Sequence, residues 1–167
     1  MAAGDPTGAP GVNSPGARIQ VERIYLKDLS FESPQAPDVF RGEWKPDVQL
    51  DINTRANRLD GSRFEVVLTA TLSARLDAVG GGEPRTGLIV EVQQAGVFLV
   101  EGVEGAPLQQ ILAMACPDIL FPYVRETVDN IVVKGTFPPF MLAPVDFAAL
   151  YREALRRHET MAGEKEN

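Results

Sequence analysis

One stretch of alternating residues constrains the fold of this chain more than any other feature. Apolar side chains occupy every second position from Phe64 to Leu76, and mainly polar side chains lie between them. Successive side chains of a β-strand point to opposite faces, so a period of two predicts a long strand with one buried face.

Three further stretches are predicted to be strands. Residues 48–53 alternate in the same way, whereas residues 88–100 carry apolar side chains in both phases. A strand that is apolar on both sides is covered on both faces, and a second subunit is one candidate for the outer cover. Turn residues at 57–62 and 77–86 separate these strands, and strands joined in succession by turns indicate an antiparallel sheet.

The first predicted strand, residues 19–32, changes its phase part-way. Ile19 and Val21 share one alternation phase, while Ile24 and Leu26 take the other. An extra residue in one strand shifts the phase of all residues that follow it. We therefore expect a β-bulge or a bend in this strand.

Apolar residues recur at helical spacing from residue 108 to residue 132. Pro117 and Pro122 lie inside this run, and proline lacks the amide hydrogen that a helix interior needs. They predict a kink or an interruption, with Cys116 and Phe121 biased away from α geometry.

A second helix is predicted to begin near Asp146, a residue type suited to an N-cap, and to bury an apolar stripe from residue 147 to residue 155. The fold class is thus α+β, a four-stranded antiparallel sheet followed by two helices. Such a sheet has more apolar surface than the helices cover, so assembly with further subunits is expected.

Composition divides the chain into three parts. Residues 1–18 are rich in Gly, Ala and Pro and read as a disordered arm, residues 19–156 as the folded domain, and residues 157–167 as a flexible tail. The start lacks the pattern of a signal peptide and no stretch is apolar enough to span a membrane, so a cytoplasmic protein is expected. A net charge of −7 argues against nucleic-acid binding.

Residues that could carry catalysis or hold a metal ion are scarce. Cys116 and His158 are the only residues of their types, which excludes an internal disulfide and most nucleophilic or zinc sites. The run from Gly80 to Gly82 lacks the lysine of a phosphate loop and indicates a hairpin tip. Glu101 and Glu104 are predicted to lie in an open turn, where pKa tuning is weak. We predict no enzyme activity, no cofactor and no metal site.

Aromatic residues are concentrated on and beside two Pro-rich connections, residues 33–47 and residues 134–144. Rings beside irregular backbone can line an apolar groove for an extended peptide, or they can close the core of the domain. Both interpretations remain open for each ring. The candidates are Phe40, Trp44, Phe137, Phe140, Phe147 and Tyr151.

Several blocks of sequence, in order, are similar to the signature of SecB chaperones, which hold unfolded proteins for export. The match extends from about residue 19 to residue 156. Its blocks are RIYLKDLSFESPQAP (23–37), EWKPDVQLDINT (43–54), EVQQAGVF (91–98), EGVEG (101–105), CPDILFPYVRE (116–126) and GTFPPFMLAPVDFAALY (135–151).

This resemblance implies a homotetramer, a dimer of dimers, without catalytic activity or cofactor. The partners it implies are unfolded secretory precursors and SecA, the export motor. The residues that match the docking face for the zinc-bearing C-terminal segment of SecA are Asp28, Glu32, Ile89 and Glu91. Trp44 and Tyr151 match positions of the client groove, with the four phenylalanines named above as weaker candidates.

The resemblance also assigns Val90, Val92 and Gln94 to tetramer contacts, with core packing as the alternative. Two rival functions stay open beside export. Some SecB-like proteins guard an antitoxin, although the complete acidic set favours export. A small-ligand protein would instead need an enclosed pocket with converging polar groups.

Overall fold

The computed structural model describes residues 16–164, and the sheet and helices are as predicted in type and order. The strands are β1 (Arg18–Glu32), β2 (Asp47–Arg58), β3 (Arg63–Leu76) and β4 (Arg85–Glu101). The helices are α1 (Gly105–Gln110), a π-helical turn (Ile111–Ala115), α2 (Cys116–Lys134) and α3 (Phe147–Glu164), with short 3₁₀ turns at Asp38–Arg41 and Val79–Gly81.

The strands form one antiparallel sheet in the order β1-β4-β3-β2. The alternation predicted the strands but not this order, in which β1 pairs with β4 rather than with the strand that follows it. The Pro-rich connection after β1 therefore runs from one edge of the sheet to the opposite edge. This crossing explains why the connection is long.

Strand β1 contains two bulges, one where a bulge was predicted and one that was not. Its register against β4 shifts between Val21 and Arg23 and again between Leu26 and Asp28. Each shift moves the following side chains to the other face. Because of the two shifts, every apolar residue of β1 except Tyr25 is paired with a β4 position on the side of the sheet that faces the helices. We call that side the inner face and the opposite side the outer face.

The core lies between the inner face and helix α2, which packs on β3 and β4. Every fourth residue of α2 points into it: Cys116, Leu120, Val124, Val128 and Val132 are all buried. On the sheet side, the alternating residues of β3 from Phe64 to Ala74 have between 0% and 4% of their surface exposed.

The prolines do not interrupt helix α2, which corrects the prediction. Cys116 has α-helical dihedral angles (φ −65°, ψ −50°), and Phe121 lies within the helix. The irregularity lies before Pro117, in the π-helical turn, and Pro117 occupies the first turn of α2, where an amide hydrogen is not required. Pro122 is on the exposed side, so water can hydrate the carbonyl that it leaves without a donor.

Helix α3 begins where it was predicted, because the amide of Ala149 donates to the Asp146 carboxylate at 2.9 Å. It continues to Glu164, past the boundary at residue 157 that we predicted for the tail. Residues 1–15 of the predicted arm and residues 165–167 lie outside the described residues, and β1 already begins at Arg18. Among residues 16–164, no helix combines the length and apolarity of a membrane span.

The three glycines between β3 and β4 form a turn. Gly80 and Gly81 have φ angles of +71° and +83°, a conformation that glycine adopts without strain. This geometry agrees with the predicted hairpin tip rather than with a phosphate loop.

Candidate functional site: an acidic sheet face and two apolar hollows

The four residues predicted to dock SecA lie together on the outer face. Glu32 is paired with Ile89 across β1 and β4, and Asp28 is paired with Gln93 of the same strand. Glu91 lies between these two rows, opposite Ser30. Paired residues of an antiparallel sheet share a face, so Asp28, Glu32, Ile89 and Glu91 form one continuous surface, which we call the acidic face.

The negative charge of the acidic face is not compensated locally. Within residues 16–164, none of its three carboxylates has a cation within 4.0 Å. The side chains paired with these three acidic residues across β1, β4 and β3 are uncharged, and the Thr71 hydroxyl donates to Glu91 at 3.4 Å. The exposed Asp51 of β2, opposite Thr71, extends the same row of negative charge to the far edge. The resemblance did not include Asp51.

A partly buried network borders the acidic face and was not predicted from the sequence. Glu65 of β3 is only 9% exposed, and its Oε1 accepts a hydrogen bond from Tyr25 at 2.5 Å and one from Lys27 at 2.5 Å. The hydrogen bonds from Lys27 and then Tyr25 lower the pKa of the Glu65 carboxyl below its ordinary value. Burial, followed by the adjacent Glu65, raises the pKa of Tyr25 to about 12. No role was predicted for Tyr25, Lys27 or Glu65.

Three of the predicted groove rings form one cluster at the other side of the sheet. The ring centroids of Trp44 and Phe137 are 4.7 Å apart, and those of Phe40 and Phe137 are 5.3 Å apart. Phe31 of β1 joins the cluster at 6.3 Å from Phe137. Phe137 is buried, while Phe40 is 49% exposed, so the cluster has a core side and a solvent side.

Trp44 is held in place by a glycine of β4. A β-carbon at Gly87 would lie 2.8 Å from Cζ3 of Trp44, which only a residue without a side chain permits. The carbonyl of Gly87 also accepts a hydrogen bond from the Ser33 hydroxyl at 3.2 Å, which ties the crossing connection to the sheet. Trp44 and Phe140 together line a small apolar hollow above Val48.

A larger hollow lies between β2 and helix α3. It has a volume of about 610 Å³, and its lining combines Leu50, Ile52, Phe147 and the ring of Tyr151 with the charged Asp51, Glu153 and Arg157. Leu50 and Ile52 follow Val48 in the inner phase of β2, so the two hollows adjoin along this strand. The strand itself was predicted, but its part in lining the hollows was not. The alternation of β2 could have indicated this role, because the apolar face of an edge strand must be covered by another part of the chain or by a bound molecule.

The six predicted rings divide between core and surface. Phe137 and Phe147 are buried, and Phe147 packs edge-on against Phe121 at 6.0 Å, so for these two the core alternative applies. Phe40 is exposed, and Trp44, Phe140 and Tyr151 are partly exposed. These four have surface that a bound peptide can contact.

The residues predicted for tetramer contacts point into the core of the chain itself. Val90 and Val92 are fully buried and Gln94 is 4% exposed, all on the inner face beneath the helices. This burial supports the alternative, core packing within the single chain. The part of these residues in tetramer contacts stays a prediction.

The lone cysteine, Cys116, is buried in the core. Burial raises the pKa of the Cys116 thiol to about 12, which keeps it protonated and inert at neutral pH. Residues 16–164 contain no group of three or more His, Cys, Asp or Glu side chains placed to hold a metal ion. The hollows are lined by solvent-exposed residues such as Leu150, unlike the enclosed polar pocket of a small-ligand protein.

Comparison with known proteins decides the family. The family model described as preprotein translocase subunit SecB matches residues 13–158. The chain belongs to the SecB family. The SecB of Marinobacter nauticus, a protein-export protein, is 51% identical over 148 residues, which cover 88% of this chain and 86% of the relative. That of Pseudomonas syringae pv. tomato is 49% identical over 157 residues, which cover 94% and 92%.

The predicted family, and with it a role as a protein-export chaperone, is therefore confirmed. Among solved structures, the fold resembles a SecB-like chaperone of Mycobacterium tuberculosis, Rv1957, in complex with a peptide from the antitoxin HigA1. The TM-score is 0.59 at 21% identity, over 77% of this chain and 91% of the other. At this identity the likeness concerns the fold.

Proposed function

We propose that this SecB protein binds unfolded precursor proteins in the cytoplasm, without ATP, and delivers them to SecA. One observation carries the proposal: a single sheet has apolar hollows on its inner side and an uncompensated acidic face on its outer side. Asp28, Glu32 and Glu91 line neither hollow, so a client bound there leaves these three docking residues uncovered.

Client binding is assigned to the partly exposed rings and the inner face of β2. An extended chain can place apolar side chains in both hollows, and each one buried contributes about 1.5–3 kcal/mol. Part of this gain is offset by the ordering of a disordered chain. Folded proteins hide such side chains, so the hollows select unfolded chains without a sequence motif.

Assembly into a homotetramer, a dimer of dimers, is supported by apolar surface that the single chain leaves open. Val21 and Leu26 of β1 are 39% and 48% exposed on the inner side, and Tyr123 and Val133 of α2 are each 48% exposed. Contacts of one long client with several subunits become intramolecular after the first. This raises the overall affinity by about 10²–10⁴.

Docking to the zinc-bearing C-terminal segment of SecA is assigned to the acidic face. Exposed charges of this kind steer a basic partner and set its orientation, so docking should weaken as salt rises. The zinc belongs to SecA in this proposal, and this chain contributes carboxylates that attract basic side chains.

A two-armed experiment separates the two surfaces. Reversal of Asp28, Glu32 and Glu91 to lysine should weaken SecA binding at low salt at least about a hundredfold, because like charges then face each other. Capture of an unfolded, slowly folding precursor should be unchanged in this variant. Conversely, Trp44→Ala and Tyr151→Ala should each weaken capture by about 1–3 kcal/mol and leave SecA binding intact.

Calorimetry measures both affinities on the same preparations. Unchanged SecA affinity after the triple reversal would refute the assigned docking face. Full precursor capture by both alanine variants would mean that the rings belong only to the core.

The alternative function, protection of an antitoxin, is supported only by the likeness in fold to the M. tuberculosis chaperone. The relatives near 50% identity are export proteins, which favours export.

A further inference from the structure

Glu65 is a nearly buried carboxylate that neither docking nor client binding uses. It lies on the outer face of β3, is 9% exposed, and accepts both of its short hydrogen bonds on one oxygen. Strand β4 lies between β1 and β3, so Tyr25 and Lys27 must cross it to meet Glu65. Ala95, the β4 residue opposite Tyr25, has the small side chain that such a crossing needs.

Lys27 is the cation nearest to the acidic face along β1. It occupies the second bulge, without a partner in the register, and directly precedes Asp28. A lysine side chain is long and flexible, and a free ammonium group at this position would be attracted to the carboxylates beside it. Instead, its Nζ lies 2.5 Å from Glu65.

The other cations of the outer face are kept apart from it by the sheet register. None of them is in the three cross-strand rows of paired residues that contain Ile89, Glu91 and Gln93. They are Arg18 opposite Glu101, Arg23 opposite Val97, Arg55 opposite Val67, Arg63 opposite Leu99, and Arg75 opposite Asp47. Lys27 differs from these arginines because it directly precedes Asp28 in the chain, so the direction of its side chain changes the charge beside the acidic face.

We propose that Glu65 is a specificity-determining residue that strengthens SecA docking by holding the Lys27 ammonium group away from the acidic face. The inference rests on the proposed docking of SecA. Glu65 does not touch the partner. It acts through Lys27, and the pair is neutral as a unit, so the three carboxylates of the acidic face attract the basic segment of SecA without competition from the Lys27 ammonium group.

The test compares three variants in binding to the zinc-bearing C-terminal segment of SecA at low salt. Glu65→Gln should weaken binding about two- to fivefold, which is the effect expected when one mobile positive charge comes near exposed carboxylates. Lys27→Gln combined with Glu65→Gln should restore the wild-type affinity, because the competing cation is gone and the net charge is again that of the wild type. Glu101→Gln is the matched control.

Glu101 pairs with Arg18 at 3.8 Å at the other end of β1, so the control frees a cation far from Asp28 and should bind like the wild type. A double variant that binds as weakly as Glu65→Gln, or a single variant with unchanged affinity, would overturn the inference. Thermal unfolding of all variants shows whether loss of folding, which removal of Lys27 could not rescue, explains a weak affinity.

The triple reversal of the acidic face runs in the same series. If it leaves binding intact, the proposed docking itself fails and this inference with it. If the triple reversal abolishes binding but the Glu65 variants do not show the expected loss and restoration of affinity, the proposed docking stands and only the role of Glu65 is refuted.

Discussion

Contacts of single residues decide whether the apolar hollows exist. Trp44 is the only tryptophan of the chain, and its indole packs where Gly87 leaves room on β4. The sequence predicted Trp44 as a groove residue from its place in a Pro-rich connection. It could not predict Gly87, because a glycine in a strand has several structural meanings and only the fold shows which ring approaches it.

Replacement of Gly87 by alanine should displace the indole of Trp44. The added β-carbon would lie 2.8 Å from Cζ3 of the ring, and such overpacking costs about 1–3 kcal/mol. We expect a shifted tryptophan fluorescence maximum and weaker capture of an unfolded precursor. Gly42→Ala is the control, since a β-carbon there meets nothing within 4 Å. Identical emission spectra of the two variants would contradict the packing described here.

At the scale of elements, local sequence signals predicted the strands and caps, and long-range contacts set the rest. The phase change after Val21 predicted the first bulge of β1, and the phase change back after Leu26 indicates the second. Helix α2 continues through Pro122 because its buried stripe is held against the sheet, and tertiary packing of this kind overrides local helix preference. The network around Glu65 joins β1 to β3, and no local pattern links residues so far apart in the chain.

Helix α3 forms one wall of the larger hollow, and its N-cap should matter for stability. Asp146→Ala removes the acceptor for the Ala149 amide, and the loss of such a cap costs about 0.5–2 kcal/mol. Chemical unfolding followed by circular dichroism measures this change in the free energy of unfolding. Asp146→Ser retains a capping oxygen and should stay close to the wild type. Equal losses in both variants would show that the cap is not the cause.

At the scale of the whole molecule, one layer of helices covers part of one side of a four-stranded sheet. The uncovered parts differ in chemistry: exposed apolar residues of β1 and α2 remain on the helical side, and carboxylates line the outer face. The alternation and the acidic set could be read from the sequence, as could the family. The sequence could not show which apolar residues are buried within the chain. Val90 and Val92 illustrate the reason: their strand is apolar in both phases, and the pattern does not reveal which phase the helices of the same chain cover.

Native mass spectrometry of the purified protein, with and without an unfolded, slowly folding precursor, tests the central claim most directly. The account predicts an assembly of four subunits that acquires the mass of the precursor while the chain is unfolded and not after it has folded. A single subunit that leaves the unfolded precursor unbound would contradict it.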